Sequence, residues 1–286
     1  MPHFLIAESE TPDEREARRE SAGKSSGETY AATLEQLSPD CTVTIVAPAD
    51  EDAQRYEPHE LTAFDAVFLT GSPLHVYEDR PEVHRQIDFM RQVFASGTPA
   101  FGSCAGLQVA VAAAGGTVRR MPHRMEAGIG RRITATDAGR AHPLLAGRPP
   151  TWDAPAIHGD EVERLPSGAT LLAGNAVTPV QAVEIRHDRG VFWGVQYHPE
   201  LALGEIAVAL ERQAEDLVEQ GLAESPADVT AIADRLTALH REPDRPMLHW
   251  ILGIDAEFAV EHRRRTELRN FLAHAPALKA AVPPTD

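Results

Sequence analysis

Cys104 lies in a short segment whose composition suits a nucleophile. Residues 101–108 read FGSCAGLQ, with glycine two positions before the cysteine and two positions after it. This spacing is typical of the G-x-nucleophile-x-G elbow, in which a strand turns sharply into a helix. Such a turn leaves room only for small flanking residues. A cysteine held in this way could attack a carbonyl carbon, provided that a base activates it.

A histidine and an acid that could activate the cysteine follow a second apolar strand. Residues 191–200 read VFWGVQYHPE. His198 can take the thiol proton and later give a proton to a leaving amine. Glu200 can hold the imidazole in the required tautomer and stabilise its charged form. Taken alone, the His-Pro-Glu triplet also suits a surface turn and the elbow suits a structural turn, but together they indicate a Cys-His-Glu constellation.

The elements that must position these residues are read from apolar runs and their spacing. The predicted strands cover residues 4–7, 41–46, 66–69, 99–101, 132–136, 170–173, 182–185 and 191–195. The predicted helices cover residues 27–37, 81–95, 107–114, 205–219 and 255–273, with a further helix that begins at Ser225. The polar segment 8–26 is expected to be an exposed or mobile loop, and the segment 275–286 a loose tail. Cys41 is expected to be a small hydrophobic residue in a buried strand.

The order of these elements predicts the fold class. Strands and helices alternate through residues 1–115, which argues for a parallel sheet covered by helices on both faces. Sites in such sheets lie at the carboxyl ends of the strands, where Gly71, Cys104 and the residues after Val195 are placed. Residues 204–286 show no strand pattern. We therefore expect an α/β domain over residues 1–203 and a C-terminal helical extension over residues 204–286, packed on or beside it.

Composition excludes several classes of function. The 286 residues carry a net charge of −16 without a basic stripe, so nucleic acid is not an expected partner. No apolar run is long enough to span a bilayer and no signal peptide is visible, so we expect a cytoplasmic protein without a membrane partner. Two cysteines cannot build a disulfide framework or a four-cysteine zinc site. The scattered histidines show no metal spacing, and we predict no structural metal.

The motifs resemble those of class I glutamine amidotransferases of the Cys-His-Glu type. The resemblance rests on GSCAGLQ at residues 102–108 and GVQYHPE at 194–200, with LTGSP at 69–73 and HGDEV at 158–162. It extends over about residues 60–203 and is strongest to the amidotransferase domain of GMP synthetase. It implies a flavodoxin-like α/β fold with a mostly parallel sheet. Over its whole length, the chain resembles stand-alone GMP synthase-like amidotransferases.

The resemblance also implies a reaction. Cys104 would attack the side-chain amide of glutamine and form a γ-glutamyl thioester. His198, oriented by Glu200, would protonate the departing ammonia and then activate the water that releases glutamate. The backbone N–H groups of Ser72 and Ala105 would form the oxyanion hole.

Further roles follow from matched positions in the family. Gly71 and Gln108 are expected to contact the substrate, and the backbone of Gly159 and Asp160 to contact its amino-acid end. Gln108 could instead pack on a loop, and His158 could order its own loop. Ser72 departs from the usual Gly-Gly-Pro, and its side chain could restrict the backbone flip that forms the oxyanion hole.

The loop after Pro73 carries chemistry-bearing side chains beside the expected site. His75, Tyr77, Glu78 and Asp79 lie there and are expected at its rim. They could recognise the acceptor end of a substrate or a partner, or they could form a solvated loop.

Three functions remain open after these observations. No phosphate-binding loop and no Ser-Gly-Gly-x-Asp-Ser run is present, so this chain alone is not expected to bind ATP or another cofactor. It could pass ammonia from glutamine to a separate synthase, or hydrolyse γ-glutamyl compounds without a partner. It could also be a non-enzymatic regulatory relative. The helical extension could simply pack on the domain, or it could serve as a docking or dimerisation surface, so a homo-oligomer is a possible state.

Overall fold

The computed structural model describes residues 1–282, which form a nine-stranded sheet, a two-stranded ribbon and the helices around them. The strands are β1 (His3–Ala7), β2 (Thr42–Val46), β3 (Ala66–Leu69), β4 (Ala100–Ser103), β5 (Thr117–Arg120), β6 (Glu126–Ala135), β7 (Thr151–His158), β8 (Asp160–Arg164), β9 (Ala169–Gly174), β10 (Ala182–His187) and β11 (Gly190–Val195). The helices are α1 (Pro12–Ala22), α2 (Ser26–Leu37), α3 (Pro58–Leu61), α4 (Pro81–Ser96), α5 (Ala105–Ala113), α6 (Asp137–Ala141), α7 (Leu203–Arg212), α8 (Ala214–Glu219), α9 (Pro226–Arg241), α10 (Pro246–Leu252), α11 (Ala256–Ala259), α12 (Glu261–Arg264) and α13 (Thr266–Ala280).

The large sheet has a parallel half and an antiparallel half. Its strand order is β2-β1-β3-β4-β11-β10-β9-β6-β7, and the first five strands of this order run parallel. The remaining four are added in antiparallel pairs, and β5 and β8 form the separate ribbon. The predicted α/β class, with a parallel sheet flanked by helices, is confirmed. The carboxyl ends of β3, β4 and β11 meet at one edge, which brings the predicted site residues together.

Successive residues of the central strands point into two separate cores. Leu5 packs with α4 and α5 on one face of the sheet, and its neighbour Ile6 packs on the other face against α2. The second core also holds α13, because Phe271 lies edge-on to Phe68 with ring centroids 5.4 Å apart. Strands buried on both faces explain why the sequence shows continuous apolar runs there rather than alternation.

The segment expected to be a loop over residues 8–26 is instead largely helical. Helix α1 begins with Thr11, which accepts a hydrogen bond from the backbone of Glu14, and the Glu14 side chain bonds back to the Thr11 N–H. Gly23 ends the helix in the left-handed conformation, at φ 79°. No residue of α1 is buried, so the helix lacks the apolar periodicity on which the expectation depended. Its capping residues specify it instead.

The antiparallel half was largely missed from the sequence. Strands β5, β7 and β8 were not predicted, and β6 begins at Glu126 rather than near residue 132. Pro155 lies within β7 and argues against a strand, but β7 is the outermost strand of the sheet, where proline costs no ladder bond on its free side. At the opposite edge, β2 is partly exposed, so Cys41 precedes an edge strand rather than a buried one.

The C-terminal helices pack in two places. Helices α7 to α11 form a third core with Met125 of the segment before β6, whereas α13 completes the core on the main sheet. The single helix expected over residues 255–273 is three helices, and α13 continues through Pro276 to Ala280. The expected loose tail is therefore helical as far as Ala280, and residues 283–286 lie outside the described part of the chain. Within residues 1–282, no helix combines the length and apolar character needed to cross a bilayer.

Candidate active site

Cys104 occupies a strained turn between β4 and α5. Its backbone lies at φ 53° and ψ −114°, in a region that residues other than glycine rarely adopt. A side chain at Gly106 would lie 2.4 Å from the carbonyl oxygen of Leu69, and one at Gly102 would lie 2.9 Å from the backbone of Gly106. Both glycines are therefore required for the close approach of α5 to the sheet, which is the geometry of a nucleophile elbow.

Backbone hydrogen bonds hold the elbow next to the segment after β11. The Cys104 N–H donates to the carbonyl of Val195 at 2.9 Å, and the His198 N–H donates to the carbonyl of Pro155 at 2.8 Å. Gly71, after β3, faces both side chains, because a Cβ there would lie 3.0 Å from Cε1 of His198 and 3.6 Å from Cβ of Cys104. Three strand ends thus meet around the thiol.

His198 and Glu200 form a buried pair beside Cys104. Nδ1 of His198 lies 2.7 Å from Oε1 of Glu200, and the two residues are 6% and 3% exposed. Burial by itself lowers the pKa of His198, but the nearby charges of Glu200 and Cys104 raise it to about 10. The imidazolium form is therefore favoured at neutral pH, and its charge stabilises a thiolate at Cys104. Nε2 of His198 has no hydrogen-bond partner in the protein.

Two residues that the sequence reasoning missed hold Glu200 from behind. The hydroxyl of Ser103 donates to Oε1 of Glu200 at 2.9 Å, and the hydroxyl of Tyr30 lies 2.6 Å from Oγ of Ser103. Burial, together with the charge of Glu200, raises the pKa of Tyr30 well above its usual range. Tyr30 therefore stays protonated and donates to Ser103, which fixes the direction of this chain of hydrogen bonds.

A second histidine–glutamate pair lies on the same cavity. His158 bonds to Oε2 of Glu126 through Nε2 at 3.2 Å and to the carbonyl of Asp160 through Nδ1 at 2.9 Å. Glu126 also accepts hydrogen bonds from Asn175 and Gln181. Burial raises the pKa of Glu126, but the hydrogen bonds from His158, Asn175 and Gln181 lower it below its usual value. Both partners of His158 are acceptors, so only its doubly protonated ring makes both bonds.

The loop after Pro73 binds a residue of the predicted substrate site. His75 and Tyr77 stack on each other with ring centroids 5.4 Å apart, and each contacts one carboxylate oxygen of Asp160, at 2.6 and 3.1 Å. Burial and the charge of Asp160 raise the pKa of Tyr77 to about 12. The loop is therefore anchored to Asp160, and its aromatic rings are not simply solvated. Gln108 bonds through Nε2 to the carbonyl of Asp160 at 3.3 Å.

The structure brings the residues predicted from the sequence to one place. A cavity of about 1020 Å³ is lined by Gly71, Ser72, Cys104, Gln108, Gly159, Asp160, His198 and Glu200. Ala105 is the first residue of α5, directly after the nucleophile position. The Ser72 side chain turns back to its own loop, where Oγ accepts from the N–H of Leu74 at 3.3 Å. Within residues 1–282, no group of three or more histidine, cysteine, aspartate or glutamate side chains is arranged to hold a metal ion.

The cavity extends beyond these residues to walls that were not predicted. Charged residues from three helices line it, namely Glu10, Glu14 and Arg18 at α1, and Arg212, Asp216 and Glu219 at α7 and α8. The capping signature at Thr11 was the available sign of α1. Apolar periodicity does not show that α7 and α8 turn their polar faces towards Cys104.

The sequence is similar to proteins that act on γ-glutamyl compounds. The family described as "Glutamine amidotransferase class-I" matches residues 22–214. The chain is 39% identical over 223 residues to a γ-glutamyl-L-1-hydroxyisopropylamide hydrolase from a Pseudomonas species, covering 76% of this chain and 74% of that protein. It is 33% identical over 196 residues to a glutamine-hydrolysing GMP synthase from Leifsonia xyli, covering 65% of this chain but 37% of that protein. It is also 32% identical over 142 residues to one subunit of the glutamine-hydrolysing GMP synthase from Sulfolobus acidocaldarius, covering 50% and 70%.

Solved structures show the same fold over nearly the whole chain. A glutamine amidotransferase from Thermotoga maritima superposes with a TM-score of 0.65 at 17% identity, covering 96% of this chain and 98% of the other. One from Methylobacillus flagellatus superposes with a TM-score of 0.56 at 18% identity, covering 100% and 96%. At these identities the likeness concerns the fold, and its coverage includes the C-terminal helices.

Proposed function

The chain belongs to the class I glutamine amidotransferases, and from this premise we propose that it hydrolyses a γ-glutamyl amide bond through a thioester on Cys104. The observation that carries the proposal is the placement of the elbow thiol beside a buried His198–Glu200 pair whose free nitrogen has no partner. The matched hydrolases support an enzyme rather than a regulatory relative.

The first half of the proposed reaction forms the thioester. The Cys104 sulfur attacks the γ-carbonyl carbon and the carbonyl oxygen becomes an oxyanion. We infer that the backbone N–H groups of Ser72 and Ala105 bind this oxyanion, as the positive end of α5 favours negative charge there. The C–N bond then breaks, and Nε2–H of His198 gives its proton to the departing nitrogen. The products are the γ-glutamyl thioester and ammonia or an amine.

The second half releases glutamate. Neutral His198 takes a proton from water while the water oxygen attacks the thioester carbon, and the sulfur leaves as thiolate. Glu200 remains ionised throughout, because its role is to hold Nδ1 of His198 and stabilise the imidazolium. Gly71 is required beside these atoms, since any side chain would fill the space between the thiol and the imidazole.

Two destinations of the nitrogen are compatible with this chemistry. In the first, ammonia from glutamine passes to a separate synthase, and the similarity to the Sulfolobus GMP synthase subunit supports this function. In the second, the enzyme acts without a partner on γ-glutamyl amides. The more extensive match to the Pseudomonas hydrolase, which covers 74% of that protein, favours the second.

The test is hydrolysis of glutamine and of a panel of γ-glutamyl amides by the purified chain. We expect activity on the amides without any partner protein, and its loss in Cys104→Ala and Cys104→Ser. A diazo-norleucine-type glutamine analogue should label Cys104 and leave Cys41 unmodified. Turnover retained by Cys104→Ala, or labelling at Cys41 alone, would show that the thiol assignment is wrong. Slow glutamine hydrolysis with no activity on the amides would favour the ammonia-donating function.

A further inference from the structure

The cavity at Cys104 is larger than the γ-glutamyl group requires. Its volume of about 1020 Å³ lies at the upper end of the ~300–1,000 Å³ typical of pockets that enclose drug-sized ligands. Glutamine, whose leaving group is ammonia, would leave much of it filled with water. The extra space lies between α1 and the α7–α8 pair, and we call this part the amine compartment. Its charged lining consists of Glu10, Glu14, Arg18, Arg212, Asp216 and Glu219.

Contacts between distant segments fix the walls of the amine compartment. Glu205 of α7 lies 3.5 Å from the guanidinium of Arg18 in α1 and accepts a hydrogen bond from Thr29 of α2 at 2.8 Å. At the other end, the side-chain oxygen of Gln220 accepts from the backbone N–H of Met125 at 2.8 Å. The compartment is therefore a built part of the fold rather than a gap between loosely placed helices.

The charges in the amine compartment do not balance. Four carboxylates face two guanidinium groups. Arg18 is already shared between Glu10 and Glu205, at 3.9 and 3.5 Å. Arg212 donates to the hydroxyl of Ser21 at 3.3 Å. The carboxylates of Asp216 and Glu219 thus add negative charge that neither arginine is positioned to neutralise.

Buried polar atoms without partners lie where the amine compartment meets the thiol. Nε2 of His198 and Oε2 of Glu200 have no hydrogen-bond partner in the protein, and both residues line the cavity. Leaving such atoms unpaired costs about 1–3 kcal/mol each, so their partners are expected to be substrate or water. Burial also raises the pKa of Glu10, although Arg18 and the N–H of Ser26 oppose it. A cation bound nearby would restore the charge of Glu10.

We propose that the substrate is a γ-glutamyl amide whose leaving amine carries a second, positively charged ammonium group, and that this ammonium binds in the amine compartment. The inference rests on the proposed function and names its substrate class. The scissile nitrogen would lie at Nε2 of His198, which gives it the proton as the C–N bond breaks. The freed product is then a diamine, while the γ-glutamyl group stays on Cys104 until water releases glutamate.

A matched series of substrates tests the charge preference. γ-Glutamyl aminobutylamide, hydroxybutylamide and carboxypropylamide have leaving groups of similar length that end in a cation, a neutral hydroxyl and an anion. We expect kcat/KM to fall by about tenfold at each step of this order, because partly exposed charges discriminate modestly. Glutamine should be slower than the cationic amide. An anionic amide that reacts as fast as the cationic one, or glutamine as the best substrate, would overturn the inference.

Variants of α8 locate the preference in the structure. The double variant Asp216→Asn, Glu219→Gln should reduce the ratio of cationic to anionic kcat/KM by about tenfold. Glu215→Gln removes a carboxylate from the same helix but outside the cavity lining, and should leave this ratio unchanged. An unchanged ratio in the double variant, or an equal change in the control, would place the discrimination elsewhere and contradict the amine compartment.

Binding to an inactive enzyme separates this inference from the proposed function. Calorimetry with Cys104→Ala should show the same order of affinity, with the aminobutylamide the tightest and the carboxypropylamide the weakest. If wild type hydrolyses the amides without regard to charge, the amine compartment is wrong and the proposed reaction stands. If wild type hydrolyses none of them and Cys104 is not labelled, the proposed reaction itself fails.

Discussion

The cavity brings together two buried histidine–glutamate pairs that differ in how many of their polar atoms are satisfied. His158 bonds through both ring nitrogens, and Glu126 accepts from His158, Asn175, Thr178 and Gln181. His198 bonds to Glu200 through Nδ1 alone, which leaves Nε2 of the one residue and Oε2 of the other without partners. Burial and residue types are alike in the two pairs, so these features alone do not mark a reactive group.

The difference indicates which pair can move a proton. A ring whose two N–H groups both serve protein acceptors can release a proton only by breaking a structural bond. A ring with one nitrogen facing the cavity can release and regain a proton as a substrate passes. We therefore assign the chemistry to His198 and Glu200, and a role in holding the loop around Asp160 to His158 and Glu126.

Replacing each histidine by glutamine gives the largest expected contrast. His198→Gln should lower kcat/KM by at least about 10⁴-fold, because it removes the acid and base while the fold is kept. His158→Gln should lower the free energy of unfolding by about 3 kcal/mol, since it breaks a buried charged pair, and should reduce activity far less. Steady-state kinetics and urea denaturation separate the two effects. Equal losses of activity at equal stability would contradict the assignment.

Replacing the two acids sharpens the same contrast through pH. The pKa of His198 is raised to about 10, so wild-type His198 stays protonated in the neutral range and loses its proton as pH rises through about 10. Glu200→Gln removes a charge that raises this pKa, while burial continues to lower it. The imidazolium should then be lost at or below the ordinary value of about 6.5. We expect kcat/KM to fall by about 10²- to 10³-fold.

Alkylation of Cys104 by iodoacetamide reports this change without any substrate. In wild type, the rate should show no step near pH 6.5, the ordinary histidine value. In Glu200→Gln, the rate at neutral pH should fall as the imidazolium is lost. Glu126→Gln should leave the alkylation profile unchanged and lower stability instead. A histidine step near pH 6.5 in wild type would contradict the raised pKa.

A methyl group at Gly71 should affect the His198–Glu200 pair selectively. In Gly71→Ala, the new Cβ would lie 3.0 Å from Cε1 of His198, so the imidazole must shift by a few tenths of an ångström. We expect about a tenfold loss of kcat/KM with little change in stability. Gly204→Ala is the control, because its Cβ makes only an ordinary contact of 3.6 Å with His240. Full activity in Gly71→Ala would show that the imidazole position is less critical than we infer.

The smallest expected effect concerns the hydrogen bonds behind Glu200. Ser103→Ala removes a donor to Oε1 of Glu200, and Tyr30→Phe removes the donor to Ser103. We expect losses of kcat/KM of about three- to tenfold, since these are positioning residues that act through Glu200. Because Ser103 disperses the charge of Glu200, its loss should raise the upper pH limit of Cys104 alkylation. Reduced stability with an unchanged profile would indicate a structural role only.

The sequence allowed much of this site to be predicted, and the missing parts have physical causes. The elbow was visible because its glycines are required by backbone contacts within a few residues of Cys104. His198 and Glu200 were visible because a strand end fixes both. Tyr30 was missed because it reaches Glu200 from a different segment, through contacts that exist only in the folded chain.

The fold was predictable to a similar extent. The parallel half has strands buried on both faces, and their apolar runs are strong signals. The antiparallel half was harder, since β7 contains Pro155 and lies at an edge. Helix α1 buries no residue, so it gives no apolar periodicity, and its capping residues were the only local sign of it. These weakly signalled elements include a wall of the amine compartment, which is why specificity was less predictable than the chemistry.

The central claim is that Cys104 carries the γ-glutamyl group during turnover. Rapid acid quench of the enzyme during hydrolysis of a γ-glutamyl amide, followed by peptide mass spectrometry, tests it directly. We predict a γ-glutamyl adduct on the peptide that contains Cys104, absent from Cys104→Ala and accumulating in His198→Gln wherever thioester hydrolysis is slowed more than its formation. Continued turnover by Cys104→Ala, or an adduct found only at another residue, would contradict the account.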